Sequence, residues 1–153
     1  MIGPRDRLAE LGLELPAVTP PVAAYVPAVR TGPYVYVSGQ LPIVDGELLA
    51  TGKVGAEVAA ADATALARRC ALNALAAIEA LVGLDRVVQV VKVVGFVASA
   101  PGFTGQPAVI NGASELFGAV FGAAGQHARS AVGVAELPLG APVEVEVIVE
   151  VAV

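Results

Sequence analysis

A strict alternation of hydrophobic and polar positions marks the C-terminal end of the chain. Valine occupies every second position over Val143–Val153, and the positions between are filled mainly by Glu144, Glu146, Ile148 and Glu150. Side chains alternate between the two faces of a β-strand, so this pattern predicts a strand with one apolar and one largely acidic face. In the run Val87–Val97, both the odd-numbered and the even-numbered positions are mainly apolar, which predicts a strand covered on both faces.

Two segments show helical periodicity instead. Residues 60–82 are rich in Ala and Leu and contain neither Pro nor Gly, and their apolar stripe consists of Ala71, Leu75, Ile78 and Val82. Gly83 is expected to end this helix with a left-handed cap. The second helix is predicted from Pro107 to Phe121, and its buried side comprises Ile110, Ala113, Phe117 and Val120.

The rest of the chain is predicted to be mostly extended. Residues 22–46 are strand-like, and Asp45–Gly46 carries the sequence of a hairpin turn. A further strand is expected over Ser130–Leu137, with His127 and Arg129 just before it. Residues 1–21 are interpreted as a short N-terminal helix followed by an extended arm, preceding one domain over residues 22–153.

This order of elements predicts a two-layer α+β domain, with a mixed sheet and both helices on one of its faces. No further helix remains to cover the other face. Only 15% of the residues are charged, while 56% are hydrophobic. Large exposed apolar surfaces usually mark interfaces, so we expect the uncovered sheet face to associate with other copies of the chain.

Composition also excludes several classes of site. The single Cys and single His rule out an intrachain disulfide framework, a Cys-rich zinc site and a multi-histidine metal centre. Nine basic against fourteen acidic residues argue against a nucleic-acid groove. The longest uncharged stretch, residues 93–114, is broken by Pro101 and Pro107, and the N-terminus lacks a long apolar segment. We therefore expect a soluble, cytoplasmic protein.

Several side chains could carry chemistry, although the residue pattern alone is also compatible with an ordinary structural or surface role for each of them. Arg129 could hold a carboxylate through two parallel hydrogen bonds, or could pair with a surface acid. Glu144 could act on a substrate or belong to a solvated strand face. Tyr25 could line a site or be an ordinary strand aromatic. Cys70, in the middle of the first long helix, is interpreted as an inert core thiol, and His127 as a capping or surface histidine.

Two blocks of sequence resemble the signatures of the RidA family, also called YjgF/YER057c/UK114. The C-terminal block, Ala128–Glu146, reads ARSAVGVAELPLGAPVEVE, and the N-terminal block, Tyr34–Pro42, reads YVYVSGQLP. The similarity covers about residues 24–153. It implies a chorismate-mutase-like α+β fold that forms a homotrimer, with the sheets inside as a barrel, the helices outside and the ligand sites in clefts between subunits.

The resemblance also implies an activity. Characterised members hydrolyse reactive enamine and imine carboxylates, such as 2-aminoacrylate, to a 2-keto acid and ammonia, without a metal or organic cofactor. Arg129 matches the arginine that clamps the substrate carboxylate, and Glu144 matches the acid that orients the attacking water. An Arg129 guanidinium nearby would keep Glu144 ionised. The residues that match the rest of the substrate-binding pocket are Tyr25, Ser38, Gly39 and Asn111.

The chain departs from the deaminase pattern near the arginine. Many active members have a cysteine two residues after it, where this chain has Ala131, and a polar side chain further along, where it has Gly133. We therefore interpret the chain as a divergent branch and keep three functions open. These are a trimeric imine or enamine deaminase, a trimer that binds a small carboxylate or keto acid without turnover, and the endoribonuclease role attached to the family, which the acidic composition disfavours.

Overall fold

The computed structural model describes residues 2–21 and 23–153 and contains one mixed five-stranded sheet. Its strands lie side by side in the order β1-β2-β7-β5-β6, where β5 and β6 are parallel and every other pair is antiparallel. Their bounds are β1 Ala28–Thr31, β2 Tyr34–Gln40, β5 Val87–Ala98, β6 Ala128–Val134 and β7 Val143–Val151. A separate small hairpin consists of β3 Ile43–Val44 and β4 Glu47–Leu48.

The helices pack on one face of this sheet, so the predicted two-layer α+β fold is confirmed. They are α1 Pro4–Glu10, α2 Ala60–Leu81 and α3 Gln106–Phe121. Both predicted apolar stripes face the core: Ala71, Leu75 and Ile78 of α2 are fully buried, as are all four residues predicted for α3. The apolar face of β7 is buried beneath the helices from Val143 to Val151, which fixes the opposite face of the strand as the one that carries its glutamates.

Both turn predictions are confirmed by the backbone. Asp45 and Gly46 have φ values of 51° and 84°, which join β3 and β4 in a turn of the mirror-image type preferred by hairpins. Gly83, with φ 87°, follows the end of α2, and its N–H donates to the carbonyl oxygens of Ile78 and Glu79. This region of φ carries little steric cost for glycine.

The expected bounds of two strands are wrong in detail. β6 begins at Ala128 and ends at Val134, so Arg129 lies inside the strand and not before it. The parallel ladder with β5 extends the strand toward its N-terminus, because Lys92 pairs with Ala128 and Val93 with Arg129. β7 ends at Val151, leaving Val153 94% exposed.

β5 is covered by helices on one face only. Val90, Val93 and Val97 are fully buried under the helices, whereas the alternate residues on the other face are half-buried. That other face, here called the open face, continues across the sheet because the register places Lys92 beside Ile148, Val94 beside Glu146 and Tyr36 beside Ile148. The open face combines apolar and charged side chains: Val29, Tyr34, Tyr36, Lys92, Val94, Phe96, Val132, Glu144, Glu146, Ile148 and Glu150.

One segment has the composition of a membrane helix but the environment of a core helix. By length and hydropathy alone, Gln106–Gly125 could span a bilayer, yet 50% of it is buried inside the fold. Its apolar residues pack against α2 and β5, where Ile110 lies directly over Gly95. The structure therefore explains its hydropathy by packing within the domain.

Candidate active site

Glu144 is the second residue of β7, and its side chain lies against the backbone of β2. The two strands meet here at an irregularity in their pairing, between Val37 and Gln40. A Cβ atom at Gly39 would lie 2.8 Å from Cδ of Glu144 and closer still to the Oε1 atom. Glycine at position 39 therefore leaves space for the carboxylate. The Glu144 side chain can lie directly against Gly39, although the two residues are far apart in the chain.

A small cleft opens beside this carboxylate, with a cavity volume of about 40 Å³ and partly open to solvent. We call it the Glu144 cleft. Three segments line it in addition to Glu144: the chain before β1, the segment from Gly39 to Ile43, and Pro138. Tyr25, one of the predicted site residues, is among the lining residues and is 44% exposed. The cleft thus contains Tyr25, Gly39 and Glu144 of the predicted site.

The pKa of Glu144 is raised within a single protomer. Burial of the half-buried carboxyl raises it, and the neighbouring negative charge of Glu146 raises it further. Both effects disfavour the ionised form. Arg129 is not among the causes within one protomer, so the expectation that a nearby guanidinium keeps Glu144 ionised stays a prediction for the cleft between subunits.

Arg129 belongs to a second group of residues, here called the Arg129 cluster. Its Nη1 donates to Oδ1 of Asn111 at 2.8 Å and to Oγ of Ser114 at 3.2 Å, and its Nη2 donates to the carbonyl oxygen of Pro107 at 3.3 Å. All three acceptors are on α3. These contacts use three of the five guanidinium N–H groups. Among the described residues no acceptor is recorded for Nε–H and the second Nη2–H, the pair that suits a carboxylate.

The Glu144 cleft and the Arg129 cluster do not meet within one protomer. In the sheet, Arg129 of β6 is level with Val93 of β5 and Val147 of β7. Val147 is three residues along β7 from Glu144, and β5 lies between β6 and β7. That separates the Cα atoms of Arg129 and Glu144 by about 10 Å along the strands and a similar distance across them. Pairing with Val93 also places Arg129 on the helix-covered face, whereas Glu144 lies on the open face.

Ser38, Cys70 and His127 lie outside the Glu144 cleft. Ser38 lines a different cavity, on the open face beside Lys92 and Glu146, and its Oγ donates to the carbonyl oxygen of Val26 at 2.6 Å. Cys70 is fully buried, and burial raises the pKa of its thiol well above the ordinary value, as expected for an inert core residue. His127 is half-buried with its ring edge against Phe117, and desolvation lowers its pKa.

Asn73 is a residue that sequence analysis missed. It is 1% exposed, and its Nδ2 donates to the carbonyl oxygens of Leu41 and Ile43, both at 3.0 Å. These carbonyls belong to the segment that forms one side of the Glu144 cleft. An asparagine inside the otherwise apolar run Cys70–Ile78 was the available signal, because a buried amide requires partners. Nδ2 has two, whereas Oδ1 has none among the described residues.

Substituting Gly39 by alanine is expected to lower activity much more than stability. The new methyl group would displace the end of the flexible Glu144 side chain, and no backbone atom stands in its way. A misplacement of about 1 Å at a reacting group costs roughly 100-fold in rate. Gly118→Ala is the matched control, because a Cβ there meets nothing within 4 Å. Equal activity of the two variants, measured as kcat/KM, would contradict this role of Gly39.

Among residues 2–21 and 23–153, no three His, Cys, Asp or Glu side chains are grouped where they could hold a metal ion. The polar side-chain groups of the Glu144 cleft and the Arg129 cluster are a carboxylate, a guanidinium, amides and the hydroxyl groups of Tyr25, Thr19 and Ser114. Such groups bind and move protons, and orient a small polar ligand.

Comparison with known proteins assigns the chain to a family. The family model described as Endoribonuclease L-PSP matches residues 17–151, and the chain belongs to this family, which is the YjgF/RidA family that its sequence resembles. The YjgF gene product of E. coli has a similar fold: TM-score 0.65, 30% sequence identity, 89% of this chain and 93% of that chain covered.

Two relatives are more similar over almost the whole chain. Protein TCP17 of Trypanosoma cruzi is 49% identical over 145 residues, covering 94% of this chain and 91% of that protein. The protein Atu1372 of Agrobacterium tumefaciens, of unknown function, has a TM-score of 0.90 and 47% identity, with 98% of this chain and 94% of that chain covered.

E. coli TdcF, solved with bound serine, has a TM-score of 0.62 and 29% identity over 90% of this chain and 93% of that chain.

Proposed function

We propose that this protein hydrolyses small imine or enamine carboxylates to 2-keto acids and ammonia, in clefts between the subunits of a homotrimer. In each cleft, the Arg129 cluster of one subunit faces the Glu144 cleft of the next. The observation that carries the proposal is the division of the polar groups into two incomplete half-sites on opposite faces of the sheet. Neither half can hold a substrate carboxylate and activate water at the same time.

The open face supports the trimer. Tyr36 is 46% exposed, Val29 51% and Val132 43%, and each lies on this face of the sheet. Apolar groups of this size are commonly covered in an assembly. A head-to-tail arrangement around a threefold axis joins two different surfaces of each subunit, which is how a cleft obtains Arg129 from one copy and Glu144 from another.

In the proposed reaction, Arg129 binds the substrate carboxylate through its remaining N–H groups, and Glu144 accepts a proton from water. The water oxygen forms a bond to the carbon of the protonated imine, while the electron pair of the C=N π bond moves to nitrogen. Glu144 then returns the proton to nitrogen and accepts the proton of the new hydroxyl group, so that the C=O bond forms as the C–N bond breaks with its electron pair going to nitrogen, and ammonia and a 2-keto acid are released. Positioning and proton transfer are the two contributions this requires from the protein.

The alternative is a trimer that binds a small carboxylate or keto acid without turnover. It uses the same Arg129 cluster and requires no base. The serine bound to TdcF is a small amino-acid ligand in a relative, and it is compatible with either function. The raised pKa of Glu144 favours catalysis, because carboxyl groups whose pKa is shifted by burial and a like charge are concentrated at catalytic sites.

The test of the proposal is hydrolysis of an imine generated in situ by an amino-acid oxidase. Decay of the imine and release of ammonia are followed with and without the protein, and binding of the corresponding 2-keto acid is measured by calorimetry. Faster decay supports the deaminase. Unchanged decay together with keto-acid binding supports the non-catalytic alternative and contradicts the deaminase.

Removing the charge of Glu146 is expected to shift the pH dependence of the reaction. The active form of Glu144 is the carboxylate, so kcat/KM rises with pH through the pKa of Glu144. Glu146 is one of the two causes that raise this pKa. In Glu146→Gln the acidic limb of the pH profile should therefore move to lower pH. Glu150→Gln, further along the same strand face, is the control, and an equal shift in both variants would contradict the assignment of this limb to Glu144.

A further inference from the structure

The N-terminal part of the chain lies largely outside the family model, yet it is docked on the domain. The family model begins at residue 17, whereas α1 is anchored further upstream. Leu8 is 3% exposed in the main core, and Arg7 donates from Nη1 to the carbonyl oxygen of Val120 at 3.3 Å. Arg5 forms an ion pair with Glu79 of α2. This helix is therefore fixed on the same layer as α2 and α3.

The segment that follows is held at its far end as well. We call residues 11–21 and 23–27 the strap. Its end is fixed by Ser38, whose Oγ donates to the carbonyl oxygen of Val26 and whose N–H donates to that of Pro27 at 2.9 Å. Near its start, Leu13 and Leu15 pack against the main core. The strap thus connects two fixed points, and part of it lines the Glu144 cleft.

Much of the cleft wall comes from the strap, whose contribution is Thr19, Pro20, Pro21, Tyr25 and Pro27. Proline rings have a fixed φ and no backbone N–H to donate to a ligand. Across the cleft from them, Leu41 and Ile43 add aliphatic surface. Among the described lining residues, Glu144 alone is charged. The wall is therefore stiff and largely apolar, and its one charge is negative.

We propose that the strap is the specificity-determining wall of the active site, limiting substrates to imines of amino acids with short, uncharged side chains. This inference rests on the proposed function and adds the substrate class to it. Bulky side chains would collide with the rings of Pro20 and Pro21. Carboxylated side chains would meet the negative charge of Glu144, while the Arg129 guanidinium of the neighbouring subunit is already engaged by the carboxylate common to all substrates.

The experiment compares two double variants with the wild type. Pro20→Gly/Pro21→Gly removes ring atoms from the cleft wall, and Pro4→Gly/Pro16→Gly removes the same atoms from parts of the N-terminus that do not line it. The measured quantity is the ratio of kcat/KM for the imine of alanine to that for the imine of phenylalanine, each produced by D-amino-acid oxidase. Thermal unfolding confirms that each variant is folded.

The expected result is a wild-type preference for the alanine imine that falls at least about 10-fold in Pro20→Gly/Pro21→Gly, as for one or two methylenes in a pocket. The control should keep the wild-type ratio. An unchanged ratio in the cleft variant, or the same fall in the control, would overturn the role of the strap. Both results leave the proposed function standing if the wild type hydrolyses either imine.

A wild type that hydrolyses neither imine would overturn the proposed function instead. The strap is then tested by the ratio of the dissociation constants of phenylpyruvate and pyruvate, measured by calorimetry on the same three proteins. A selective fall of this ratio in Pro20→Gly/Pro21→Gly supports the strap as the wall of a binding site. An unchanged ratio overturns it.

Discussion

Replacing Arg129 by alanine is expected to weaken the binding of a 2-keto acid by about 100-fold or more. The guanidinium is held by Asn111, Ser114 and Pro107 on α3, so its remaining N–H groups are fixed in direction before a ligand arrives. Truncating one partner of a hydrogen-bonded charge pair costs about 2–5 kcal/mol. Calorimetric titration with pyruvate measures the loss. The loss is expected whether the trimer is a deaminase or only a binding protein.

Arg30→Ala is the matched control for this substitution. Arg30 lies on the edge strand β1, is exposed, and donates only locally, to the carbonyl oxygen of Gly32 at 3.1 Å. Its removal changes the net charge by the same amount and should leave keto-acid affinity unchanged. Unaltered affinity in Arg129→Ala, or an equal loss in both variants, would remove Arg129 from the site.

The second large effect is expected for Glu144→Gln. The glutamine retains the size of the side chain over Gly39 but cannot accept the proton of water. General base catalysis contributes roughly 10²–10⁴-fold, so kcat should fall by that factor while KM changes little. Glu150→Gln, on the same face of β7, should keep wild-type kcat. A comparable fall in kcat for Glu150→Gln would show that the loss of a negative charge from the strand, and not the loss of the base, is responsible.

The same variant should not be less stable at neutral pH. The pKa of Glu144 is higher in the folded chain than its ordinary value because of burial and Glu146. The folded state therefore favours the protonated form, and stability is lost as pH rises through the folded pKa. Glutamine removes this penalty, so thermal unfolding of Glu144→Gln at pH 7 should occur at the wild-type temperature or above it. A catalytic group that costs stability is a common compromise.

The sequence predicted most of the fold because its strongest signals are local. The alternation of apolar and polar residues along β7 follows from the geometry of a single strand, and the apolar stripe of Ala71, Leu75 and Ile78 follows from that of a single helix. The hairpin turn at Asp45–Gly46 and the end of α2 at Gly83 are likewise set by nearby residues. These features are insensitive to how the elements are arranged in space.

Features that depend on pairing between distant strands were less predictable. Arg129 lies inside β6 because the parallel ladder with β5 begins at Ala128, which no property of residues 126–130 indicates. Its position on the opposite face of the sheet from Glu144 follows from register across two strand pairs. The family resemblance named both residues as candidates, but only the strand register shows that one copy of the chain keeps them apart.

Residues that support the site indirectly gave the weakest signals. Asn73 is a single amide in an apolar helix, and its partners are backbone carbonyls more than 25 residues away in the chain. The cleft wall formed by Pro20 and Pro21 depends on where α1 docks, which local sequence does not specify. Such residues become visible only once the tertiary structure is known.

The most direct test of a shared site is to mix two inactive variants. Arg129→Ala and Glu144→Gln are dissociated, combined in equal amounts and reassembled. If each site takes its arginine and its glutamate from different copies, random assembly places both intact residues together in about a quarter of the sites. Recovery of about a quarter of wild-type imine hydrolysis is the expected result. No recovery, with mass spectrometry confirming mixed trimers, would contradict the division of the site between subunits.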